Sequence, residues 1–237
     1  MYIKSLFITG TDTDAGKTTA AALLIAFLTK RGTQVAAYKP VQSGAEIING
    51  KLSAPDVEFY KLANPELTAS YTYLFKKPCS PHLAAREEGK EIDVNKIIEH
   101  YEQLSEDNDF VLMEGAGGVI VPLRDDGYNM LNLMKDLDVP VVIVARTGVG
   151  TINHTTLTAE RLIQEGVDVK GIIMNQMSIG DTKIEQDNIQ MIELMTKLPV
   201  IGMIPHLENP SSAVGDSEFL ENIFSKLGNI MEEDRNE

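Results

Sequence analysis

The sequence is poor in cysteine and in long apolar runs. Its one cysteine, Cys79, cannot form an intrachain disulfide, so the composition gives no support to secretion. The longest apolar stretch, from Ala20 to Leu28, is about half of the roughly 20 residues that a membrane-spanning helix requires. The amino terminus also lacks the longer apolar region and small-residue cleavage site of a signal peptide. We therefore expect a soluble, cytoplasmic protein.

Basic residues are also few. Lys and Arg together number 21 against 35 Asp and Glu, which gives a formal net charge of −14. This charge repels nucleic-acid backbones and anionic membranes at long range, so we expect neither as a partner. A small anionic ligand held in a local cradle remains compatible with it. The four histidines are widely separated and lack the spacing of zinc ligands: His82, His100, His154 and His206.

Short β-branched runs alternate with helical patterns along the whole chain. Strands are predicted at Ile3–Thr9, Val35–Tyr38, Phe110–Glu114, Val139–Ala145, Val169–Met174 and Val200–Ile204. Helices are predicted at Lys17–Arg31, Val94–Leu104, Thr155–Gln164 and Ile184–Leu194. This alternation predicts one α/β domain over residues 1–227, with a mostly parallel sheet and helices on both faces. Residues 42–53 are predicted to be a loop, and residues 228–237 a frayed acidic tail.

A glycine-rich segment follows the first predicted strand and reads GTDTDAGKT from Gly10 to Thr18. A turn that leads into a helix amino terminus directs backbone N–H groups and the helix dipole at one point, which suits phosphate. Lys17 supplies a charge for the outer phosphates, and the Thr18 hydroxyl is suited to ligating Mg²⁺. The usual loop has four residues between its glycines, whereas five separate Gly10 from Gly16 here. The segment is thus a variant P-loop.

Position 12 separates this loop from those of partition and division-site ATPases. Those proteins carry a second lysine early in the loop, whereas this chain has Asp12. A carboxylate cannot neutralise a transferred phosphate as a lysine does. The loop therefore favours a synthetase.

A second lysine closes the next predicted strand, in the segment YKPVQSG that contains Lys39 and Ser43. Because the carboxyl ends of parallel strands line the ligand crevice of such sheets, we expect Lys39 to face the same crevice as Lys17.

Four blocks of sequence together resemble the dethiobiotin synthetase family. They are GTDTDAGKT, YKPVQSG, EGAGG at residues 114–118 and TINHTTLTAE from Thr151, followed by IPHLENP near the carboxyl terminus. The resemblance spans nearly the whole chain. It implies a P-loop fold and an ATP-dependent ring closure of diaminononanoate with CO2 to dethiobiotin, through a carbamate and a carbamic-phosphoric anhydride, in biotin synthesis.

The resemblance also implies roles for individual residues. Lys39 and Lys17 are the expected catalytic charges, and Thr18, Asp56 and Glu114 the expected Mg²⁺ ligands. The expected ATP contacts are Asp14, Ala15, Gly16, Lys17, Thr18, Thr19, Asp56, Glu114, Gly115, Ala116, Gly117, Asn175, Gln176, Pro205, His206, Leu207 and Glu208. The expected substrate contacts are Thr13, Ser43, Gly118, Gly150, Thr151, Ile152 and Asn153. The family implies a homodimer, with residues 148–153 reaching the substrate of the neighbouring subunit.

Several interpretations stay open at this stage. Asp56 follows a proline and suits a helix N-cap as well as it suits a metal ligand, and Asn153 is a plausible helix cap. Residues 115–118 are expected to let the backbone approach the substrate closely, since a glycine has no obstructing side chain. Two other functions compete with the synthetase: a nucleotide switch of the partition or division type, and an amidating synthetase that acts on a corrin-like substrate.

Overall fold

The computed structural model describes residues 3–178 and 182–233, and its centre is a parallel sheet of seven strands. The strands are β1 Ser5–Gly10, β2 Val35–Gln42, β3 Glu46–Ile48, β4 Lys51–Ser53, β5 Thr68–Leu74, β6 Phe110–Gly118, β7 Val141–Arg146, β8 Val169–Met177 and β9 Val200–Pro205. The helices are α1 Lys17–Lys30, α2 Pro55–Tyr60, α3 Pro81–Glu87, α4 Val94–Asp107, α5 Met130–Leu137, α6 Thr151–Gln164, α7 Lys183–Thr196, α8 Pro210–Ala213 and α9 Ser217–Glu233.

The sheet order is β5-β2-β6-β1-β7-β8-β9, and every adjacent pair is parallel. The first strand, β1, therefore lies at the middle, and its carboxyl end has β6 on one side and β7 on the other. All six residues of β1 are buried, as expected for a strand covered on both faces. The phosphate loop consequently opens at the centre of the carboxyl edge.

Helices cover both faces of this sheet. One apolar core joins α1, α2 and α9 to one face, and a second core joins α3, α4, α5 and α6 to the other. Helix α1 is buried along Ala20–Leu28 because it lies between the sheet and the outer helices, where Phe27 meets Phe224 with ring centroids 5.7 Å apart. The predicted α/β fold is confirmed.

Several elements were not among the predicted ranges: the strands β3, β4 and β5 and the helices α2, α3, α5, α8 and α9. The edge strand β5 was not predicted, because its sequence TASYTYL lacks a continuous apolar run, and its residues are at most half-buried. Residues 42–53 do not form one loop, since Gln42 ends β2 and the strands β3 and β4 pair as an antiparallel hairpin. The hairpin stands on the surface and exposes Ile47, so burial contributes no signal there.

Helix limits also extend beyond the predicted ones. Helix α6 begins at Thr151 rather than Thr155, and α9 continues through Glu233, into the segment predicted to be a frayed tail. Residues 234–237 of that tail lie outside the described residues, and the domain boundary at 227 stays a prediction. Among residues 3–178 and 182–233, no helix is both long and apolar enough to cross a membrane.

The burial of α1 yields a stability prediction. Leu24 is fully buried between the sheet and the outer helices, so Leu24→Ala should lower the free energy of unfolding by about 2–5 kcal/mol through lost contacts and a residual cavity. Leu194 on α7 is 58% exposed, and Leu194→Ala should change it by less than about 0.5 kcal/mol. Urea unfolding of both variants measures the difference. Equal losses would contradict this account of the core.

Candidate active site

The side chain of Asp12 helps to shape the phosphate loop. Asp12 caps a short 3₁₀ turn over Thr13–Ala15, where its carboxylate accepts a hydrogen bond from the Thr13 N–H at 2.7 Å. The carboxylate of Asp12 also faces the guanidinium of Arg146, at the end of β7, at 3.8 Å. The residue that distinguishes this loop from those of partition ATPases is therefore part of the turn that shapes it.

Gly16 occupies a position that no other residue fits. Its φ is +94°, a left-handed conformation that side chains disfavour, and it links the 3₁₀ turn to α1. A Cβ at Gly16 would lie 1.8 Å from the side-chain nitrogen of Asn175. Asn175 is buried near the carboxyl end of β8 and donates a hydrogen bond to the carbonyl oxygen of Ala15 at 3.0 Å. Asn175, an expected nucleotide contact, thus holds the phosphate loop itself.

Lys17 is buried at the start of α1 and folds back over the loop. Its ammonium donates to the carbonyl oxygens of Asp12 and Thr13, both at 2.9 Å. Burial lowers the pKa of Lys17 to about 8, with Glu114 acting in the opposite direction and Lys39 adding to the decrease. The side chain is therefore a cation with a lowered pKa that is held against the backbone of the phosphate loop.

Lys39 forms the centre of a charged cluster at the carboxyl end of β2. Its ammonium lies 2.6 Å from Asp56 and 2.7 Å from Glu114, and it donates to the carbonyl oxygen of Gly115 at 3.2 Å. Burial alone would lower the pKa of Lys39, but the carboxylates of Glu114 and Asp56 outweigh it and raise the pKa above its usual value. Lys39 therefore stays charged although it is buried.

Glu114 connects this cluster to the phosphate loop. Its Oε1 atom accepts hydrogen bonds from Lys39 at 2.7 Å and from the Thr18 hydroxyl at 2.9 Å. Its Oε2 atom accepts one from the Tyr60 hydroxyl at 2.6 Å. Tyr60 was missed by the sequence interpretation. The sequence feature that could have indicated Tyr60 is its position four residues after Asp56, which places both side chains on one face of α2.

The structure shows whether Asp56 caps helix α2. The N-cap of α2 is Ala54, which has no side-chain cap, and Asp56 lies inside the first turn. Its carboxylate is bonded to Lys39 instead. The capping hypothesis for Asp56 is therefore wrong, because the buried ammonium is the stronger partner for a carboxylate at this place.

The oxygen groups around Lys39 suit a hard divalent cation. Three oxygen-bearing side chains meet there: Thr18 from α1, Asp56 from α2 and Glu114 from β6. Thr18 is hydrogen-bonded to Glu114, and both carboxylates form ion pairs with Lys39. Mg²⁺ is commonly held by one or two carboxylates together with water and phosphate oxygens. Residues 3–178 and 182–233 contain no group of three or more His, Cys, Asp and Glu that could hold a metal by itself.

Residues 115–118 continue β6 instead of forming a turn. Gly115 is buried, and a Cβ there would lie 2.9 Å from the Phe7 ring, so packing already requires its glycine. Ala116 and Gly118 are half-buried, and Gly118 pairs with Gly10. Gly117 has a φ of +63°, and a Cβ on it would lie 3.6 Å from the Thr13 hydroxyl, so this strand end borders the phosphate loop.

The start of α6 carries four of the expected substrate contacts, from Gly150 to Asn153. Gly150 is the N-cap of α6 with a φ of +94° and no side-chain cap, so the predicted capping role of Asn153 is wrong. Asn153 lies in the first turn and is exposed, while Thr151 is buried and Ile152 is half-buried. Ser43, by contrast, follows the end of β2 and is half-buried.

The expected base contacts lie at the ends of β8 and β9, which are neighbouring strands. Gln176 has a φ of +63°, and its carbonyl oxygen accepts a hydrogen bond from the Thr147 hydroxyl at 3.0 Å. His206 follows Pro205 and donates its backbone N–H to the carbonyl oxygen of Met177 at 2.9 Å. The remaining members lie just beyond it, with Leu207 half-buried and Glu208 exposed.

Comparison with known proteins first defines a class. A family model described as an AAA domain matches residues 4–213. A solved ParA family ATPase from Chlorobium tepidum TLS aligns with a TM-score of 0.57 at 12% identity, covering 93% of this chain and 91% of that one. At such low identity the likeness shows the fold alone. The chain is thus a P-loop nucleotide-binding protein of the AAA-domain class.

Sequence relatives define the family within that class. An ATP-dependent dethiobiotin synthetase from Anoxybacillus flavithermus is 50% identical over 208 residues, which cover 87% of this chain and 94% of that protein. One from Halalkalibacterium halodurans is 42% identical over 226 residues, which cover 94% and 93%. This chain belongs to the ATP-dependent dethiobiotin synthetase family.

The lowered pKa of Lys17 predicts how phosphate binding depends on pH. Because only the protonated ammonium attracts phosphate, the affinity for ADP should fall as the pH rises through about 8, the pKa of Lys17. The loss should be about tenfold between pH 7 and pH 9 if binding requires the charged form. Calorimetric titrations across this range measure it. The control is Lys17→Arg, whose guanidinium stays charged and should give a flat profile. A flat profile for the unsubstituted protein would contradict the assignment.

Proposed function

We propose that this protein is a cyclo-ligase that forms dethiobiotin from diaminononanoate, CO2 and ATP in biotin biosynthesis. The family supplies the name of the reaction, and the charged cluster at the carboxyl edge supplies groups suited to its chemistry. The observation that carries the proposal is Lys39, a buried ammonium between two carboxylates beside a phosphate loop. Phosphoryl transfer relies on such positioned charge rather than on covalent catalysis.

In the first stage one amine of the diamine adds to CO2 and loses a proton, which gives a carbamate. A carbamate oxygen then attacks the γ-phosphorus of ATP, the bond from that phosphorus to the bridging oxygen breaks, and ADP leaves. Negative charge grows on the transferring oxygens, and the ammonium groups of Lys17 and Lys39 are the fixed charges that stabilise it. Both side chains are buried, so water screens this attraction little.

In the second stage the other amine attacks the carbonyl carbon of the mixed anhydride. The bond from that carbon to the phosphate oxygen breaks, phosphate leaves, and the amine proton passes to solvent, which closes the cyclic urea. Thr13, Ser43 and Gly118 are the groups we assign to the carbamate and the amines. Gly117 and Gly118 lie at the end of β6, next to the phosphate loop, and Gly117 is close to the Thr13 hydroxyl. This proximity supports the assignment.

Mg²⁺ belongs to the proposal as the ion that accompanies ATP. Thr18, Asp56 and Glu114 would hold it, because their oxygen atoms converge beside the phosphate loop. When bound, the ion neutralises phosphate charge and so assists phosphoryl transfer. The rest of the loop, Asp14, Ala15, Gly16 and Thr19, and the strand end Gly115, Ala116 and Gly117 are assigned to the ATP phosphates.

We assign the base of the nucleotide to Asn175, Gln176 and residues 205–208. An Asn or Gln amide offers both a donor and an acceptor, which suits a purine edge. The buried amide of Asn175 donates one of its two N–H groups to the carbonyl oxygen of Ala15, so its oxygen and its second N–H group are left for base recognition.

A homodimer completes the proposal. Gly150, Thr151, Ile152 and Asn153 open α6, and free N–H groups at a helix start suit a carboxylate such as the one at the far end of the substrate. Val149, in the same segment, is fully exposed, and Leu157 on α6 is 57% exposed. These apolar side chains are consistent with contact to a second copy, whose substrate the segment would then reach.

The reaction predicts a defined dependence of phosphate release on its components. Release from MgATP should require both diaminononanoate and bicarbonate, and the organic product should have the mass of dethiobiotin. Omission of either substrate, or chelation of Mg²⁺, should abolish product. Coupled phosphate detection and mass spectrometry measure both quantities. Slow release that is indifferent to the two substrates would overturn the proposed reaction.

Lys39→Ala separates chemistry from nucleotide binding. Removal of a charge that acts on the transition state should lower kcat by about 10²–10³-fold or more. ADP affinity should change little, because Lys39 contacts the carboxylates and Gly115 rather than the phosphate loop. The matched control is Lys61→Ala, since Lys61 is partly exposed and pairs with the surface residue Glu58. Near-normal turnover of Lys39→Ala would remove Lys39 from the mechanism.

A further inference from the structure

Tyr60 is a buried polar group that the proposed reaction does not use. Its side chain is 1% exposed, at the end of α2, and its ring belongs to the core between that helix and α1. Its hydroxyl donates to the Oε2 atom of Glu114 at 2.6 Å. Burial of a phenol hydroxyl is costly unless it is hydrogen-bonded, so this bond is a specific feature of the site.

The two oxygen atoms of Glu114 have separate partners. Oε1 accepts from Thr18 at 2.9 Å and from Lys39 at 2.7 Å, while Oε2 accepts from Tyr60. Rotation about the last bond of a glutamate side chain has a broad energy profile, so the chain itself does not hold the carboxylate plane. The hydrogen bond from Tyr60 restricts that rotation through Oε2, the oxygen that Thr18 and Lys39 do not contact.

Helix α2 supplies two side chains to the charged cluster around Lys39. Asp56 and Tyr60 are four residues apart in its sequence and therefore share one face. Asp56 binds Lys39 at 2.6 Å, and Tyr60 binds Glu114, which itself binds Lys39. These contacts form a closed ring, so a shift of Glu114 also changes the surroundings of Lys39.

We propose that Tyr60 is a positioning residue that orients the Glu114 carboxylate, so that one oxygen faces Lys39 and Thr18 and remains available to Mg²⁺. The inference rests on the proposed function for its catalytic consequence. It assigns to Tyr60 no contact with substrate or nucleotide. Loss of the hydroxyl frees the carboxylate to turn, which disturbs both the alignment of Lys39 and the oxygen set offered to the ion.

The test is Tyr60→Phe, which removes the hydroxyl and keeps the ring in the core. Loss of a group that orients a metal ligand typically costs about 10–100-fold in metal affinity or activity. We expect kcat to fall by about that factor, with KM for the diamine changed by less than about threefold, because Tyr60 acts through Glu114. We also expect the Mg²⁺ concentration that half-saturates the metal-dependent binding of ADP to rise by about tenfold.

Tyr38→Phe is the matched control. Tyr38 is also fully buried, and its hydroxyl bonds Thr72 and the carbonyl oxygen of Ile97 on the opposite face of the sheet. It should alter thermal stability but neither kcat nor the Mg²⁺ titration. Unchanged kcat and Mg²⁺ dependence in Tyr60→Phe would overturn the proposal. Equal changes in both variants would do the same, since they indicate a merely structural effect.

A double variant tests the route of action and does not depend on comparing stabilities. In a Glu114→Gln background, Tyr60→Phe should cost less than about twofold further in kcat, because residues that act through one another are not additive. A full multiplicative loss would overturn the proposal. If the unsubstituted protein makes no dethiobiotin, the proposed function fails, and the Mg²⁺ titration of ADP binding still decides the role of Tyr60.

Discussion

A buried ammonium group that must be neutralised organises the functional edge of this protein. Lys39 lies on β2, an interior strand of the sheet, with almost no exposure, and an unpaired charge there would be strongly destabilising. Its counter-charges come from two other elements, Asp56 on α2 and Glu114 on β6. The ion pairs therefore hold α2 against the sheet beside the phosphate loop. Because Glu114 also accepts from Thr18, the loop and the cluster form one connected unit.

The fold and the site carry different information about function. The same architecture occurs in a ParA family ATPase that is 12% identical, so the parallel sheet alone does not distinguish a synthetase from an ATPase. The distinction lies in side chains at the carboxyl edge. Asp12 caps the phosphate loop where partition ATPases carry a lysine, whereas Lys39 brings positive charge from β2, which β6 separates from β1. The cluster around Lys39 is the part of the molecule to which we assign the carbamate chemistry.

The errors of sequence interpretation have two physical origins. Asp56 and Asn153 were both assigned local capping roles, because capping depends only on neighbours in sequence. The structure gives Asp56 a partner on another strand and leaves Asn153 exposed near a glycine-capped helix start. Strand β5 and the hairpin of β3 and β4 were missed because they are partly or fully exposed and lack an apolar pattern. Periodicity reports burial, so exposed elements leave little trace.

The sequence by itself determined the α/β class, the phosphate loop and its variant spacing, Lys17 at the helix start after that loop, Lys39 in the carboxyl half of β2, and the family. Each depends on local spacing or on strand direction, which neighbouring residues encode. Only the tertiary structure decided that Asn175 locks the loop, that Asp56 and Glu114 enclose Lys39, and that Tyr60 bonds Glu114. These contacts join residues far apart in the chain, and their geometry arises from the packing of α2 against the sheet and of β8 beside the phosphate loop, which no local pattern specifies.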